Sequence, residues 1–174
     1  VSYSFYPVWS QLYGINYTTV PVGHDFSIDP ATYPARNGGI IIPNPNAPTG
    51  MLMSLDAIRT LLCKSADSAV VIDEAYIDFC PASTCLQMIH DYSNLVVLQT
   101  LSKAWGMAAV RLGMAFASKE IISYFNKVKA PYNVNILSQE FALNRLNKLD
   151  AMQTQVKEIE SEKLRLYKTL PLLN

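Results

Sequence analysis

Three short apolar runs constrain this chain more than any other feature: Gly39-Ile40-Ile41-Ile42, Ala69-Val70-Val71-Ile72 and Leu95-Val96-Val97-Leu98. Each is unbroken by polar residues, and each is stopped by turn-forming or polar ones. Continuous runs of that length predict strands buried on both faces, whereas strict alternation would mark a strand with one wet face. Helical patterns separate them. Ser54 is a good N-cap, and Leu55, Ile58, Leu61 and Leu62 fall on one face behind it, so a helix opens there. Strands alternating with helices predict an α/β fold with a mostly parallel sheet, layered as α/β/α.

The remaining segments fit that scheme. Tyr6, Trp9 and Tyr13 recur at helical spacing and predict a short helix within residues 2–13. Ile15 to Val20 is rich in β-formers, and Arg111 to Ala117 reads as a further strand, followed by a helix opening at Ser118-Lys119-Glu120. Pro131 ends that helix, and residues 135–167 are helical again, as two helices or one kinked one. A length of 174 residues suits one domain or a large piece of one. The chain starts inside a patterned segment without a methionine and stops just after a long helical pattern. We therefore expect residues 1–174 to be part of a longer protein.

Composition narrows the class of function. Half of the residues are hydrophobic, and 14 basic side chains balance 14 acidic ones, which excludes a disordered chain. With no basic excess, no nucleic-acid partner is expected. No apolar run reaches the roughly 18–20 residues of a membrane span, and the most apolar stretch, Ala104 to Ala117, contains Arg111. Three cysteines, an odd number, favour a reducing, cytoplasmic setting over a disulfide framework. Cys80, Cys85 and His90 stand at five-residue steps that match no common zinc spacing, so no metal is expected. His24 and His90 stand in no nucleophile–base spacing and read as surface or packing residues.

In parallel α/β sheets ligands bind at the carboxyl ends of the strands. Here those ends are chemically loaded: Pro43-Asn44-Pro45-Asn46, Asp73, and Thr100-Leu101-Ser102-Lys103. A lysine amine condenses with the aldehyde of pyridoxal phosphate. Thr100 and Ser102 offer hydroxyls to its phosphate, and Arg111 a guanidinium that binds bidentately. Asp73 suits the pyridine nitrogen, which must stay protonated for the ring to act as an electron sink, and Tyr76 the ring's phenolic oxygen. Taken singly, each has a plainer reading: Lys103 as a solvated surface residue, Asp73 as a helix cap, Arg111 as an ion-pair partner, Ser102 as a loop hydroxyl.

The wording around these residues goes further. Thr100-Leu101-Ser102-Lys103-Ala104-Trp105-Gly106-Met107-Ala108-Ala109-Val110-Arg111-Leu112-Gly113 resembles the cofactor-lysine motif of the fold-type I pyridoxal-phosphate-dependent aminotransferases. Val71-Ile72-Asp73-Glu74-Ala75-Tyr76-Ile77-Asp78-Phe79 and Pro45-Asn46-Ala47-Pro48-Thr49-Gly50 resemble that family's other two signatures, in the same order. Asp73 to Phe79 and Lys129-Ala130-Pro131-Tyr132-Asn133-Val134-Asn135 are most similar to its histidinol-phosphate branch.

The resemblance implies a large cofactor-binding domain, with residues 135–174 leading toward a small domain not contained here. It implies amino transfer from L-histidinol phosphate to 2-oxoglutarate in histidine biosynthesis. Threonine-phosphate decarboxylases and aromatic or aspartate-type aminotransferases share the same residues, and a non-catalytic α/β domain is the reading from another class. Lys103 would hold the cofactor covalently and later move the substrate's proton. Asp73 would pair with the ring nitrogen, Tyr76 with O3′, and Ser102, Arg111 and Thr100 with the phosphate. Tyr3 would stack on the ring. The family's O3′ asparagine usually precedes the proline of the Asn-Pro-Thr-Gly motif, where this chain has Ala47, so Asn46 takes that role by a shift of the loop. The same resemblance implies a homodimer, with Tyr6 reaching toward the partner's cofactor phosphate and Tyr132 and Asn133 toward a neighbouring site. The isolated 174-residue piece is expected to turn over slowly or not at all.

Overall fold

The computed structural model describes residues 2–170. The chain divides into two compact units, Val1–Gln99 with Met114–Lys129 and Thr100–Gly113 with Ala130–Asn174.

The first unit carries the sheet. Strands β1 (Ile40–Pro43), β2 (Val70–Asp73), β3 (Leu95–Thr100) and β4 (Gly113–Ala117) lie side by side in that order, with β1 parallel to β2 and β2 parallel to β3. Ile40, Val70 and Leu95 share one register level, and Ile42, Ile72 and Val97 the next but one. Side chains two apart on a strand point the same way, so these six form one apolar face. Helix α2 (Leu55–Lys64) supplies its complement. Ile58, Leu61 and Leu62 have no exposed surface and close against the six strand residues together with Met53, Cys85 and Met88. Each such side chain contributes roughly 1.5–3 kcal/mol by leaving water.

Capping follows the sequence. Ser54 Oγ accepts the Ala57 amide at 3.2 Å, closing the start of α2. Asn94 finishes its end: the side-chain nitrogen lies 3.2 Å from Leu62 O, 2.9 Å from Ser65 O and 3.3 Å from Ser68 O, next to the carbonyls that a helix terminus leaves unpaired. Helix α1 (Phe5–Leu12) forms within residues 2–13 as its spacing predicts, and helix α3 (Lys119–Val128) opens at Ser118 and stops before Pro131.

The second unit contains the segment 100–113 and two helices, α4 (Ile136–Leu146) and α5 (Leu149–Thr169). Residues 135–167 are thus two helices, broken at 147–148. Asn135 caps α4 by accepting the Ser138 amide at 2.9 Å. Ser138 Oγ donates to Val110 O at 3.0 Å, and Arg145 Nε to Trp105 O at 3.3 Å, tying α4 to the 100–113 segment.

Two expectations are corrected. Ile15 to Val20 forms no strand: β1 is the outermost strand of the sheet, and no ladder partner takes up that segment. β-propensity expresses itself only where a neighbouring strand offers hydrogen bonds, and Pro21 removes a donor at its end. The strand expected from Arg111 begins instead at Gly113, because Arg111 sits in the left-handed region at φ 55°, ψ 44°, a conformation no strand contains. Burial on both faces holds at the sheet centre, where Val96 is buried, but not at the edge, where Ile41 is 41% exposed.

Among the described residues no helix is long and apolar enough to cross a membrane, and no group of three His, Cys, Asp or Glu could hold a metal ion. The three cysteines form no disulfide.

Candidate functional site

In the first unit the site is built at the carboxyl ends of β1 and β2. Asp73 is the last residue of β2, level with Pro43 of β1 and Leu98 of β3. Both of its oxygens are engaged. Oδ1 accepts the Ala75 amide at 3.1 Å, and Oδ2 accepts the Tyr6 hydroxyl at 2.7 Å. Burial, and then the charge and hydrogen bond of Asp73, push the Tyr6 phenol far above its ordinary pKa, so it remains a donor throughout the working pH range.

The Tyr6 hydroxyl is thus held by a carboxylate of its own chain. Helix α1 places the ring for this contact, and the Tyr6 amide bonds back to Tyr3 O at 3.4 Å, just ahead of the helix. The two rings meet edge-on, with centroids 5.4 Å apart and planes at 82°. Tyr3, expected to stack on a cofactor ring, keeps 46% of its surface exposed and lines, with Tyr6, Tyr17, Tyr33, Pro43 and Asn46, a cleft of about 440 Å³.

The Pro/Asn loop after β1 is rigidly tied. Asn44 is fully buried and Asn46 is 2% exposed. Asn46 donates from Nδ2 to Thr49 Oγ1 at 2.9 Å, and its backbone bonds to Met51 O at 2.8 Å and the Gly50 amide at 2.7 Å. The loop thus buries the carboxamide of Asn46. Tyr76 heads the short turn Ile77–Phe79 that leaves β2.

Sequence reasoning missed the groups that hold this apparatus. Glu74, beside Asp73, is 1% exposed and accepts three hydrogen bonds: from Thr84 Oγ1 at 2.7 Å, the Cys85 amide at 2.5 Å and Gln99 Nε2 at 2.8 Å. A buried carboxylate is tolerable only with such a donor set. It staples the loop carrying Tyr76 to the end of β3. The only available signal was the adjacency of two acids after an apolar run.

In the second unit the chain leaving β3 folds back on itself. Thr100 Oγ1 lies 2.9 Å from Ser102 Oγ and accepts the Ser102 amide at 3.1 Å. Leu101 bonds to Leu112 O at 3.2 Å, Met107 to Leu101 O at 3.0 Å and Gly106 to Lys103 O at 2.8 Å. Gly106, at φ 69°, makes that last turn without the strain a side chain would incur. The result presents two hydroxyls, the Lys103 amine and the Arg111 guanidinium. Lys103 and Arg111 are both exposed, and Arg111 Nη1 donates to Ala108 O at 2.9 Å. Leu101, Ala104 and Met107 are buried and anchor the turn.

The donor sets fit the group that the motifs imply. The first unit offers a fixed carboxylate and phenols suited to a protonated pyridine and its oxygen. The second offers the hydroxyls and guanidinium a phosphate requires and an amine for the aldehyde. Tyr132 is 93% exposed, Asn133 is exposed too, and His24 and His90 lie at the surface.

The fold is of the α/β class, with parallel strands β1 to β3 and Asp73 at the carboxyl end of β2. Residues 1–172 match the family described as aminotransferase class I and II, a pyridoxal-phosphate-dependent family, and the chain belongs to it. It is 49% identical over 133 residues to the histidinol-phosphate aminotransferase of Lactococcus lactis subsp. cremoris, a match spanning 76% of this chain and 37% of that protein. The chain thus aligns with less than half the length of that curated relative. The fold is similar to the crystal structure of the histidinol-phosphate aminotransferase from Clostridium acetobutylicum, with a TM-score of 0.92 at 24% identity over 99% of this chain and 54% of that one. It is also similar to the Sinorhizobium meliloti enzyme described as in complex with pyridoxal-5'-phosphate, with a TM-score of 0.87 at 20% identity over 95% and 47%.

Proposed function

We propose that this chain is the cofactor-holding part of an enzyme that transfers the amino group of L-histidinol phosphate to 2-oxoglutarate in histidine biosynthesis. One observation carries the reading. The three strand-end motifs occur together within a chain that is 49% identical to a histidinol-phosphate aminotransferase over 133 residues.

Bound pyridoxal phosphate supplies an electron sink for the substrate's Cα. The chain's residues do the rest. Asp73 holds the proton on the ring nitrogen, and Tyr76 and Asn46 serve the ring oxygen. Tyr3 supports the ring face. Thr100, Ser102 and Arg111 hold the phosphate. Lys103 would anchor the cofactor through its amine, and the amine, when free, would take up and return the substrate's Cα proton. Residues 1–174 belong, in this reading, to the large domain, with 135–174 leading toward a small domain. The whole enzyme is a cytoplasmic homodimer.

The test uses the full-length protein. Purified enzyme should acquire a visible cofactor band that Lys103→Ala abolishes, and should convert histidinol phosphate and 2-oxoglutarate to glutamate in preference to aromatic or aspartate donors. Carbon dioxide release from an amino-acid phosphate would assign it instead to the decarboxylases, and absence of any cofactor band would reject both.

A further inference from the structure

The hydroxyl of Tyr6 and the amide of Ala75 use both oxygens of Asp73, and they do so differently. The Ala75 contact is local, two residues along the chain, and comes with the turn itself. The Tyr6 contact spans 67 residues of sequence and is brought by a separate element, helix α1. Its ring is set by Tyr3, just ahead of that helix and edge-on at 5.4 Å, and by Trp9 on the helix at 6.0 Å. A strand-end aspartate needs no such partner to keep its charge, since it could be solvated by water. A half-buried phenol aimed at Oδ2 instead fixes the plane of the carboxylate and draws off part of its negative charge.

We infer that Tyr6 is a positioning residue for Asp73, which sets how strongly that carboxylate holds the proton of the cofactor's ring nitrogen. The inference rests on the proposed cofactor site and deepens it. A hydrogen bond donated to a carboxylate lowers its power to accept another. With the Tyr6 hydroxyl present, Asp73 shares the ring proton less completely than a bare carboxylate would. Without it, the acceptor is stronger but less firmly oriented. The phenol can act this way at all working pH values because burial and Asp73 itself suppress its ionisation.

The experiment is a substitution series in the full-length holoenzyme loaded with pyridoxal phosphate labelled with 15N in the ring. Tyr6→Phe keeps the ring and its aromatic contacts and removes only the hydroxyl. Site-specific replacement of Tyr6 by a ring-fluorinated tyrosine keeps the hydroxyl and makes it a stronger donor. The 15N resonance should move away from the fully protonated position in Tyr6→Phe and toward it with fluorotyrosine. Circular dichroism of the cofactor band, which reports its fixed orientation, should weaken by at least a third in Tyr6→Phe alone. Far-ultraviolet dichroism should be unchanged in both, which separates the effect from misfolding. Resonances that coincide in all three proteins would overturn the inference and leave the cofactor assignment standing. A wild-type protein that binds no labelled cofactor would overturn both.

Discussion

The side chain of Asn44 pairs with Met53 as a neighbouring strand would: Oδ1 accepts the Met53 amide at 2.7 Å and Nδ2 donates to the Met53 carbonyl at 3.3 Å. The pair closes the ends of the Pro/Asn loop, so the burial of Asn46 depends on it. Asn44→Asp preserves the shape but turns the donating nitrogen into an oxygen facing a carbonyl. With the site fully buried, we predict a loss of about 2–4 kcal/mol, read as a lower urea midpoint with an unchanged slope.

The same logic applies to Glu74 with the sign of the partners reversed. All three groups around it are donors. Glu74→Gln, nearly isosteric, must place an NH2 against one of them and should destabilise by about 1–3 kcal/mol. Thr84→Val, which removes one donor and leaves the carboxylate two others, should cost less. Urea unfolding of the two variants side by side checks the order.

Alkaline pH gives a third outcome. Burial first, with Glu74 and Asp73 adding to it, raises the Cys85 thiol and the Tyr6 phenol above their ordinary values. The folded chain then keeps protons that the unfolded chain begins to release at about pH 8.5 for cysteine and 10 for tyrosine. The unfolded state binds fewer protons, so the slope of stability against pH is negative there. Stability should be fully present below pH 8.5 and fall as pH rises through 9 to 11. Tyr6→Phe and Cys85→Ala together should flatten the decline in urea midpoints measured across that range. Exposed Cys63 should be alkylated by iodoacetamide in the native state while buried Cys85 is spared.

Arg111 separates stability from binding. Its left-handed backbone costs a non-glycine residue about 1 kcal/mol. Arg111→Gly relieves that strain and deletes the guanidinium. Thermal unfolding of the apo protein should stay level or rise by a few degrees. Affinity for pyridoxal phosphate, measured by equilibrium dialysis, should fall at least tenfold.

The contrast between these sites explains what could be read from residues alone. The strands at Ile40, Val70 and Leu95 and helix α2 were legible because burial and periodicity act within a few neighbouring residues. So was the order of the chemical motifs, since each sits where an apolar run stops. Asn44 with Met53, Glu74 with Gln99 and Tyr6 with Asp73 were not. They are pairings set by strand order and loop closure, which leave no local pattern. Ile15 to Val20 failed for the converse reason: its composition favours a strand, but no ladder is there to join.

The aromatic cluster on α1 has a practical consequence. Trp9 lies within 6.2 Å of Tyr3, Phe5 and Tyr6, so its emission is sensitive to the state of those rings. The chain has one other tryptophan, Trp105. Replacing it with phenylalanine would leave a single tryptophan, one contact away from Asp73, an optical gauge of that carboxylate's surroundings that requires no added dye.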